Sequence, residues 1–316
     1  MKIASVVVTY NRFDKLKLTV EKTLDEDVDF FIIVNNASTD GTKEWLDTLT
    51  DCRLKVIHLD ENIGGAGGFN VGFKEVVENC DADWLVCYDD DAYPKSGSIA
   101  KFKSLTLNQS VGSIASAVYL PDGKIAEMNR PSLNPFWHVK RFFSTAFKGR
   151  DGFHVSDKQY EDRDFIEVDA SSFVGYFVRT DVIKKVGLPR KELFIYADDI
   201  IYALSVRKAG YKHLFVPQVS FIHDCGTLLN NQDIYKPIWR VYYVCRNRIE
   251  MYRFTSGIFF YPITFLKILL WWEKAKYYQN QDLYKKVMWC AVKDGLKKDF
   301  SKKHKDILEW SLNEYK

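Results

Sequence analysis

The sequence contains no CxxC pair. Its six cysteines, Cys52, Cys80, Cys87, Cys225, Cys245 and Cys290, are scattered without metal-ligand spacing. That excludes a zinc ribbon or a dithiol redox motif and predicts buried or incidental thiols in a reducing compartment. No uninterrupted apolar run reaches the roughly 20 residues that a membrane-spanning helix needs. The N-terminus, Met1-Lys2-Ile3-Ala4-Ser5-Val6-Val7-Val8, enters a strand pattern at once, so no signal peptide is expected. A cytoplasmic protein is the expectation, either soluble or attached to the cytoplasmic face of an inner membrane. The loop after the first strand, Thr9-Tyr10-Asn11-Arg12, has no glycine. A nucleotidyltransferase would carry a glycine-rich, basic loop there, and a dinucleotide fold its phosphate-binding glycines. The net charge of +3 is small, and no nucleic-acid partner is expected.

What is present is a substantial core composition, 47% hydrophobic and 15% aromatic over 316 residues, which excludes a disordered chain. The charge is unevenly placed. From residue 235 to 316 there are 17 Lys and Arg against 8 Asp and Glu, which leaves 28 against 34 in the rest. An acidic body with a basic, aromatic tail predicts that the tail meets something anionic. The expected division is an α/β domain over 1–230 and a helical region over 231–316.

Ile3 to Val8 is a continuous β-branched and apolar run, the pattern of a strand buried on both faces. Leu16, Val20 and Leu24 at helical spacing predict a helix next. Phe30 to Val34, Leu54 to Leu59 and Trp84 to Tyr88 repeat the strand pattern. The segments between them read as helices, one from Lys43 to Leu49 and one to Glu78. Alternating strands and helices predict a mostly parallel sheet, and such sheets bind ligands at the carboxyl ends of their strands. The unusual loops 9–12, 35–41, 62–72 and 89–91 all fall at those ends. Strands are also expected at 112–118, 173–178 and 216–222, with 121–165 an irregular insert of functional or mobile character.

Several stretches carry candidate chemistry, each with a bland and a sharp reading. Asp89, Asp90 and Asp91 end an apolar strand. They are either a solvated acidic turn before Pro94 or a cluster that a divalent cation neutralises. Gly64-Gly65-Ala66-Gly67-Gly68 is a flexible loop, or a backbone that offers N–H groups to a phosphate. Asp198 and Asp199 open a helix, where one acid is explained as an N-cap and a second makes a general base plausible. His223, after the last strand, is a structural histidine or a third metal ligand. Residues 256–272 are apolar and aromatic except for Lys267. They form either a core helix against 283–297 or a monotopic segment in a headgroup region, and the basic stretch to 305 touches anionic lipid or solvent. The same tail would equally serve a homo-oligomer.

In order and spacing, Val-Val-Val-Thr-Tyr-Asn-Arg, Asn-Asn-Ala-Ser-Thr-Asp-Gly-Thr, Asn-Ile-Gly-Gly-Ala-Gly-Gly-Phe-Asn-Val-Gly, Tyr-Asp-Asp-Asp-Ala, Ala-Asp-Asp-Ile-Ile-Tyr and Phe-Ile-His resemble the family 2 glycosyltransferases. These are inverting enzymes of the GT-A fold, and the resemblance covers about residues 1–225. The triple Asp and the glycine-rich loop are most similar to the galactofuranosyltransferase and rhamnosyltransferase branches. The resemblance implies a Rossmann-like, mostly parallel sheet flanked by helices, with 231–316 as a helical appendage. It implies that Thr9, Tyr10, Arg12 and Asn36 line the nucleotide base, with Asn36 where many relatives carry Asp. Gly64, Gly65 and Asn70 would lie near the ribose and diphosphate, and Asp90 would face the nucleotide sugar. Asp89, Asp91 and His223 would hold Mn²⁺ or Mg²⁺. Asp199, with Asp198 beside it, would be the catalytic base. The expected donor is UDP-galactofuranose or, second, dTDP-rhamnose, and the expected acceptor is a glycan or lipid-linked oligosaccharide of a surface polysaccharide. A glycan-binding or scaffold protein that keeps the fold without turnover is the alternative of another class.

Overall fold

The computed structural model describes residues 1–162, 164–225 and 234–312. The chain divides into two compact units, Met1–Lys191 with Asp199–Cys225, and Glu192–Asp198 with Gly226–Lys316. The expected boundary between residues 230 and 231 lies outside the described residues.

The first unit is built on a nine-stranded sheet. Its elements in chain order are β1 (Ile3–Thr9), α1 (Phe13–Leu24), β2 (Phe30–Asn35), α2 (Thr42–Leu46), β3 (Leu54–His58), α3 (Gly64–Asn79), β4 (Trp84–Asp89), β5 (Ala92–Pro94), α4 (Ser98–Lys103), β6 (Val111–Tyr119), α5 (Val139–Lys148), α6 (Asp157–Glu161), β7 (Ile166–Val168), β8 (Tyr176–Arg179), α7 (Thr180–Val186), α8 (Asp198–Lys208) and β9 (Lys212–His223). The strands run in the order β3-β2-β1-β4-β8-β6-β9-β5, with β7 also on β9. The β3-β2-β1-β4 half is parallel, as the continuous apolar runs predict. β8 enters antiparallel between β4 and β6, and β9 returns parallel to β6.

All seven residues of β1 are buried, and period-2 alternation sends them to two cores. Ile3 and Val7 join Phe31, Ile33, Val86 and Tyr88 on one face, while Val6 and Val8 join Ile32, Val34 and Leu85 on the other. α3 lies against that second face at close range. A Cβ on Gly68 would come within 2.3 Å of Val8 Cγ1, and one on Gly72 within 2.4 Å of Val6 Cγ1. Gly68, in the run expected to serve a ligand, is therefore occupied with Gly72 in letting a helix reach the sheet.

Three local expectations change. The glycine run is not a free loop, because the helix begins at Gly64 itself. The strand expected over 173–178 is shorter and starts later, β8 at Tyr176–Arg179, and a separate short strand, β7, precedes it at Ile166–Val168 and pairs with β9. The insert 121–165 is not irregular throughout, since it holds α5 and α6.

The second unit contains α9 (Trp239–Thr255), α10 (Phe260–Glu273), α11 (Gln281–Lys297) and α12 (His304–Leu312). Its core joins Tyr242, Tyr243 and Ile249 of α9 to Trp271 of α10 and Tyr284, Val287, Met288 and Ala291 of α11. The α11 N-terminus is capped by Asn280, whose side chain accepts from the Leu283 N–H at 2.9 Å. α10 is not an ordinary core helix, because only Phe260, Thr264 and Trp271 of its 14 residues are buried. No helix among the described residues is long and apolar enough to cross a membrane.

Candidate active site

Pairing register brings the carboxyl ends of β1, β2, β3 and β4 to one edge of the sheet. Thr9 lies beside Asn35, Asn35 beside His58, and Val8 beside Asp89. β6 and β9 end on the same edge. Pro94 does not simply terminate the acidic stretch. β5 pairs antiparallel with the end of β9, Ala92 opposite His223, and the Asp224 N–H donates to the Asp91 carbonyl at 2.8 Å. This hairpin-like return carries Asp91 to His223.

The three acids take different partners. Asp90, 6% exposed, accepts from the Thr9 hydroxyl at 2.8 Å and the Tyr10 N–H at 3.4 Å. Asp91, 5% exposed, accepts from Arg12, whose guanidinium is 3.6 Å from Asp90. Thr9 and Arg12 are thus engaged with carboxylates, while Tyr10 stands exposed beside them. His223 Nε2 is 3.1 Å from Asp91 Oδ1, and its Nδ1 is 2.8 Å from Asn129 Oδ1. Asn129 in turn donates to Ser172 at 2.8 Å, which fixes its amide orientation. An Nδ1–H donated to Asn129 leaves Nε2 as the atom that faces the acids.

Electrostatics separates the acids further. Burial and then the charge of Asp91 raise the Asp89 carboxyl above its usual range. Burial pushes Asp90 up to about 7, against the pull of Arg12 and the Thr9 hydrogen bond. Burial also works against the charge of Asp91, but His223 and Arg12 outweigh it and hold its carboxyl low. His223 is raised because Asp91 and Asp89 outweigh its own burial. Ligand atoms of Asp89, Asp91 and His223 all lie within 4.8 Å of one another. Two hard carboxylates and one imidazole, crowded and short of compensating charge, fit Mn²⁺ or Mg²⁺.

Asn36 and Asn70 are spent on scaffolding. The Asn36 amide donates to Asn62 Oδ1 at 3.0 Å and to the Gly64 carbonyl at 3.1 Å, and its oxygen accepts from the Ile63 N–H at 2.9 Å. Asn36 therefore clamps the turn that opens α3. Asn70 donates to the Pro189 carbonyl at 2.7 Å and ties α3 to the chain after α7. At the head of α3, Gly64 takes a positive φ of 77°, and a Cβ on Gly65 would meet nothing within 4 Å. The backbone is open there to an approaching ligand.

The second acid pair is presented by backbone geometry. Phe194, Tyr196 and Ala197 all have left-handed φ, at 66°, 72° and 64°, which costs about 1–3 kcal/mol per residue unless the surroundings enforce it. Two residues of α9 supply that enforcement. The Asn247 amide donates to the carbonyls of Leu193 at 2.9 Å, Ile195 at 2.7 Å and Tyr196 at 3.0 Å. Arg246 donates to the carbonyls of Glu192 and Leu193, each at 3.1 Å. Both side chains are almost fully buried. The strained run ends at Asp198, which is buried, and Asp199, whose oxygen accepts from the Ile200 N–H at 2.7 Å. Loss of water and the charge of Asp89 raise Asp199 to about 6.

Sequence reading did not single out Asn129, Arg246 or Asn247 for these tasks. Asn129 sits in the stretch expected to be irregular, with no pattern to mark it. Arg246 and Asn247 sit among other polar residues of the same helix, Arg248 and Glu250, so nothing in the sequence sets them apart.

An acid–imidazole cluster at one sheet edge and a separate carboxylate on a helix mouth agree with what comparison with known proteins shows, a glycosyltransferase. Residues 5–158, just under half of the chain, match the model of Glycosyl transferase family 2. It is 26% identical over 241 residues to "Galactofuranosyltransferase GlfT1" of Mycolicibacterium smegmatis, a match that covers 75% of this chain and 74% of the relative. Among solved structures, the mannosyltransferase PcManGT of Pyrobaculum calidifontis, in complex with GDP-Man and Mn²⁺, superposes with a TM-score of 0.53 at 14% identity. That match covers 95% of this chain and 87% of the other. TarS 1-349 of S. aureus, in complex with UDP-GlcNAc, gives a TM-score of 0.50 at 14% identity, over 99% of this chain and 76% of the other. The fold is GT-A, a mostly parallel sheet flanked by helices, as the sequence resemblance implies.

Proposed function

We propose that the chain is an inverting, metal-dependent galactofuranosyltransferase. It moves galactofuranose from UDP-galactofuranose to a hydroxyl of a lipid-linked glycan acceptor. The donor reading rests on the galactofuranosyltransferase relative that matches three quarters of the chain. The mechanistic reading rests on one observation, two acid groups with separate environments. Asp91 is held low against His223 and Arg12, while Asp199 is raised to about 6.

Held by Asp89, Asp91 and His223, Mn²⁺ or Mg²⁺ would neutralise charge on the departing diphosphate. The other steps belong to the chain's own side chains. In this reading Thr9, Tyr10 and Arg12 meet the nucleotide, and Asn36, whose N–H donates to the Thr9 carbonyl at 2.9 Å and whose amide donates to the Gly64 carbonyl at 3.1 Å, brings the head of α3 beside them. Asn36 and Asn70 keep that backbone in place. Asp199 takes the proton from the acceptor hydroxyl as its oxygen bonds to the anomeric carbon. The bond from that carbon to the diphosphate breaks on the opposite face, and its electron pair leaves with the diphosphate. A base with a pKa near 6 is ionised at neutral pH yet basic enough to assist this transfer. No protein nucleophile is needed, and the anomeric configuration inverts.

Nucleotide release from a panel of sugar nucleotides, with Mn²⁺ present, tests the donor. Turnover should be highest with UDP-galactofuranose. Preferential turnover of dTDP-rhamnose would replace the donor, and no release from any member would return the chain to a binding role. Product anomers seen by NMR test inversion separately.

A further inference from the structure

The helix expected to be either core or interfacial carries a surface that the transfer reaction does not use. Across residues 258–272, Ile258 is 88% exposed, Tyr261 75% and Phe265 66%, and Leu266, Leu269 and Trp272 are exposed with them. Their spacing of three and four places them along one side of α10. The opposite side, Phe260, Thr264 and Trp271, is the part that packs into the second unit. A contiguous apolar stripe of this kind on the surface marks a contact site.

The surroundings specify what the stripe meets. Trp272 and Trp289 of α11 stand 6.1 Å apart, centroid to centroid, and both are exposed. Lys285 lies 4.8 Å over the Trp272 ring. Lys276, Lys293 and Lys297 stand exposed along the same border, and from 256 to 298 the sequence has eight Lys against three acids. Aliphatic residues at the centre, indoles at the margin and lysines beyond them match the layers of an interface between acyl chains, headgroups and anionic surface. A second copy of the chain fits less well, because a two-fold contact would bring this lysine border against itself. Spanning is excluded by length, since 14 residues rise about 21 Å against a hydrocarbon core of about 30 Å.

We infer that the α10 face with its Trp272/Trp289 and lysine border is a monotopic docking surface for an anionic lipid bilayer. The helix lies in the headgroup plane with Tyr261, Phe265 and Leu269 directed to the acyl chains. This goes beyond the transfer reading and does not depend on it, because vesicle binding needs neither donor nor acceptor.

The test is flotation of the full chain with phosphatidylcholine vesicles, with and without phosphatidylglycerol, alongside Trp fluorescence and size-exclusion light scattering. The wild-type chain should float with the anionic vesicles and its Trp emission should shift to the blue. The double variant Phe265→Ser/Leu269→Ser, both at exposed positions, should keep its melting temperature and lose more than about tenfold in partition. Lys276→Glu/Lys293→Glu should lose about fivefold per lysine on anionic vesicles only. Equal flotation of the serine variant, or equal binding of the wild type to both vesicle types, would overturn the inference. So would a wild-type chain that stays off both, and a dimer broken by the serine substitutions would then assign the face to a second copy.

Discussion

The two acid clusters of this protein are held in place by opposite means. The Asp89–Asp91 group is fixed through its side chains. Thr9 and Arg12 donate to Asp90 and Asp91, His223 faces Asp91, and even the Asp90 carbonyl accepts from Thr19 at 2.9 Å. The Asp198–Asp199 pair is fixed through the backbone that leads to it. Three left-handed residues precede it, and buried Arg246 and Asn247 hold the carbonyls of Glu192, Leu193, Ile195 and Tyr196 in and around that run. The first arrangement gathers three acids whose charge Arg12 and His223 balance only in part, and suits a group that must grip a cation and a diphosphate. The second spends hydrogen bonds on the geometry of the backbone that presents the acids. That suits a base, which must stay basic and stay aimed. The difference predicts that damage to the first cluster appears in metal and donor affinity, and damage to the second in turnover.

The sharpest way to break this comparison is Asp199→Asn. The change keeps the shape and removes the base, so kcat should fall by about 10²–10⁴ while the KM for donor stays near wild type. If Asp198→Asn is dead instead and Asp199→Asn turns over, the base is Asp198. Next in size is Asn129→Ala, which removes the acceptor for His223 Nδ1 at 2.8 Å. Loss of such an outer partner costs roughly 10–100-fold in metal affinity, measurable as the Mn²⁺ concentration that gives half-maximal turnover. Turnover at saturating Mn²⁺ should recover, and a failure to recover would show that Asn129 does more than orient the imidazole. Asn247→Ala should do the reverse. It leaves three loop carbonyls without their shared donor, costing about 1–3 kcal/mol of stability. kcat should fall about tenfold with no change in the Mn²⁺ requirement. Equal loss of metal affinity in this variant would erase the distinction between the clusters.

The parts of this arrangement that the sequence exposes are those carried by local pattern. Ile3–Val8 and Phe30–Val34 are visible as strands because both faces of a parallel sheet are covered, and the chemistry-bearing loops follow from the strand ends. Asp89, Asp91 and His223 are each readable as candidate ligands at strand ends, although 132 residues separate Asp91 from His223 and the β5–β9 pairing is what closes that gap. The glycines of 64–72 mislead, because glycine serves close packing and ligand approach alike. Gly68 and Gly72 press on Val8 and Val6, while Gly65 stands open. Asn129, Arg246 and Asn247 are illegible for a different reason. Each acts across a distance of 50 or more residues on a partner whose need appears only in three dimensions: an imidazole tautomer for Asn129, a strained loop for the other two.

The smallest expected effect refines the same comparison through pH. Asp199 is raised to about 6 by removal from water and by Asp89, so its basic form is lost as the pH falls through that value. Turnover that needs the ionised carboxylate should be half-maximal near pH 6, fall towards a limiting slope of about tenfold per unit below it, and level off only above about pH 7. The limb should appear in kcat measured at saturating donor and Mn²⁺, where cation binding at Asp89 and Asp91 is already complete. It should vanish from the residual rate of Asp199→Asn, which has no carboxylate to protonate, and persist in Asn247→Ala with reduced amplitude. A limb that survives in Asp199→Asn would assign the titration to the cation-binding acids and join the two clusters into one ionising unit.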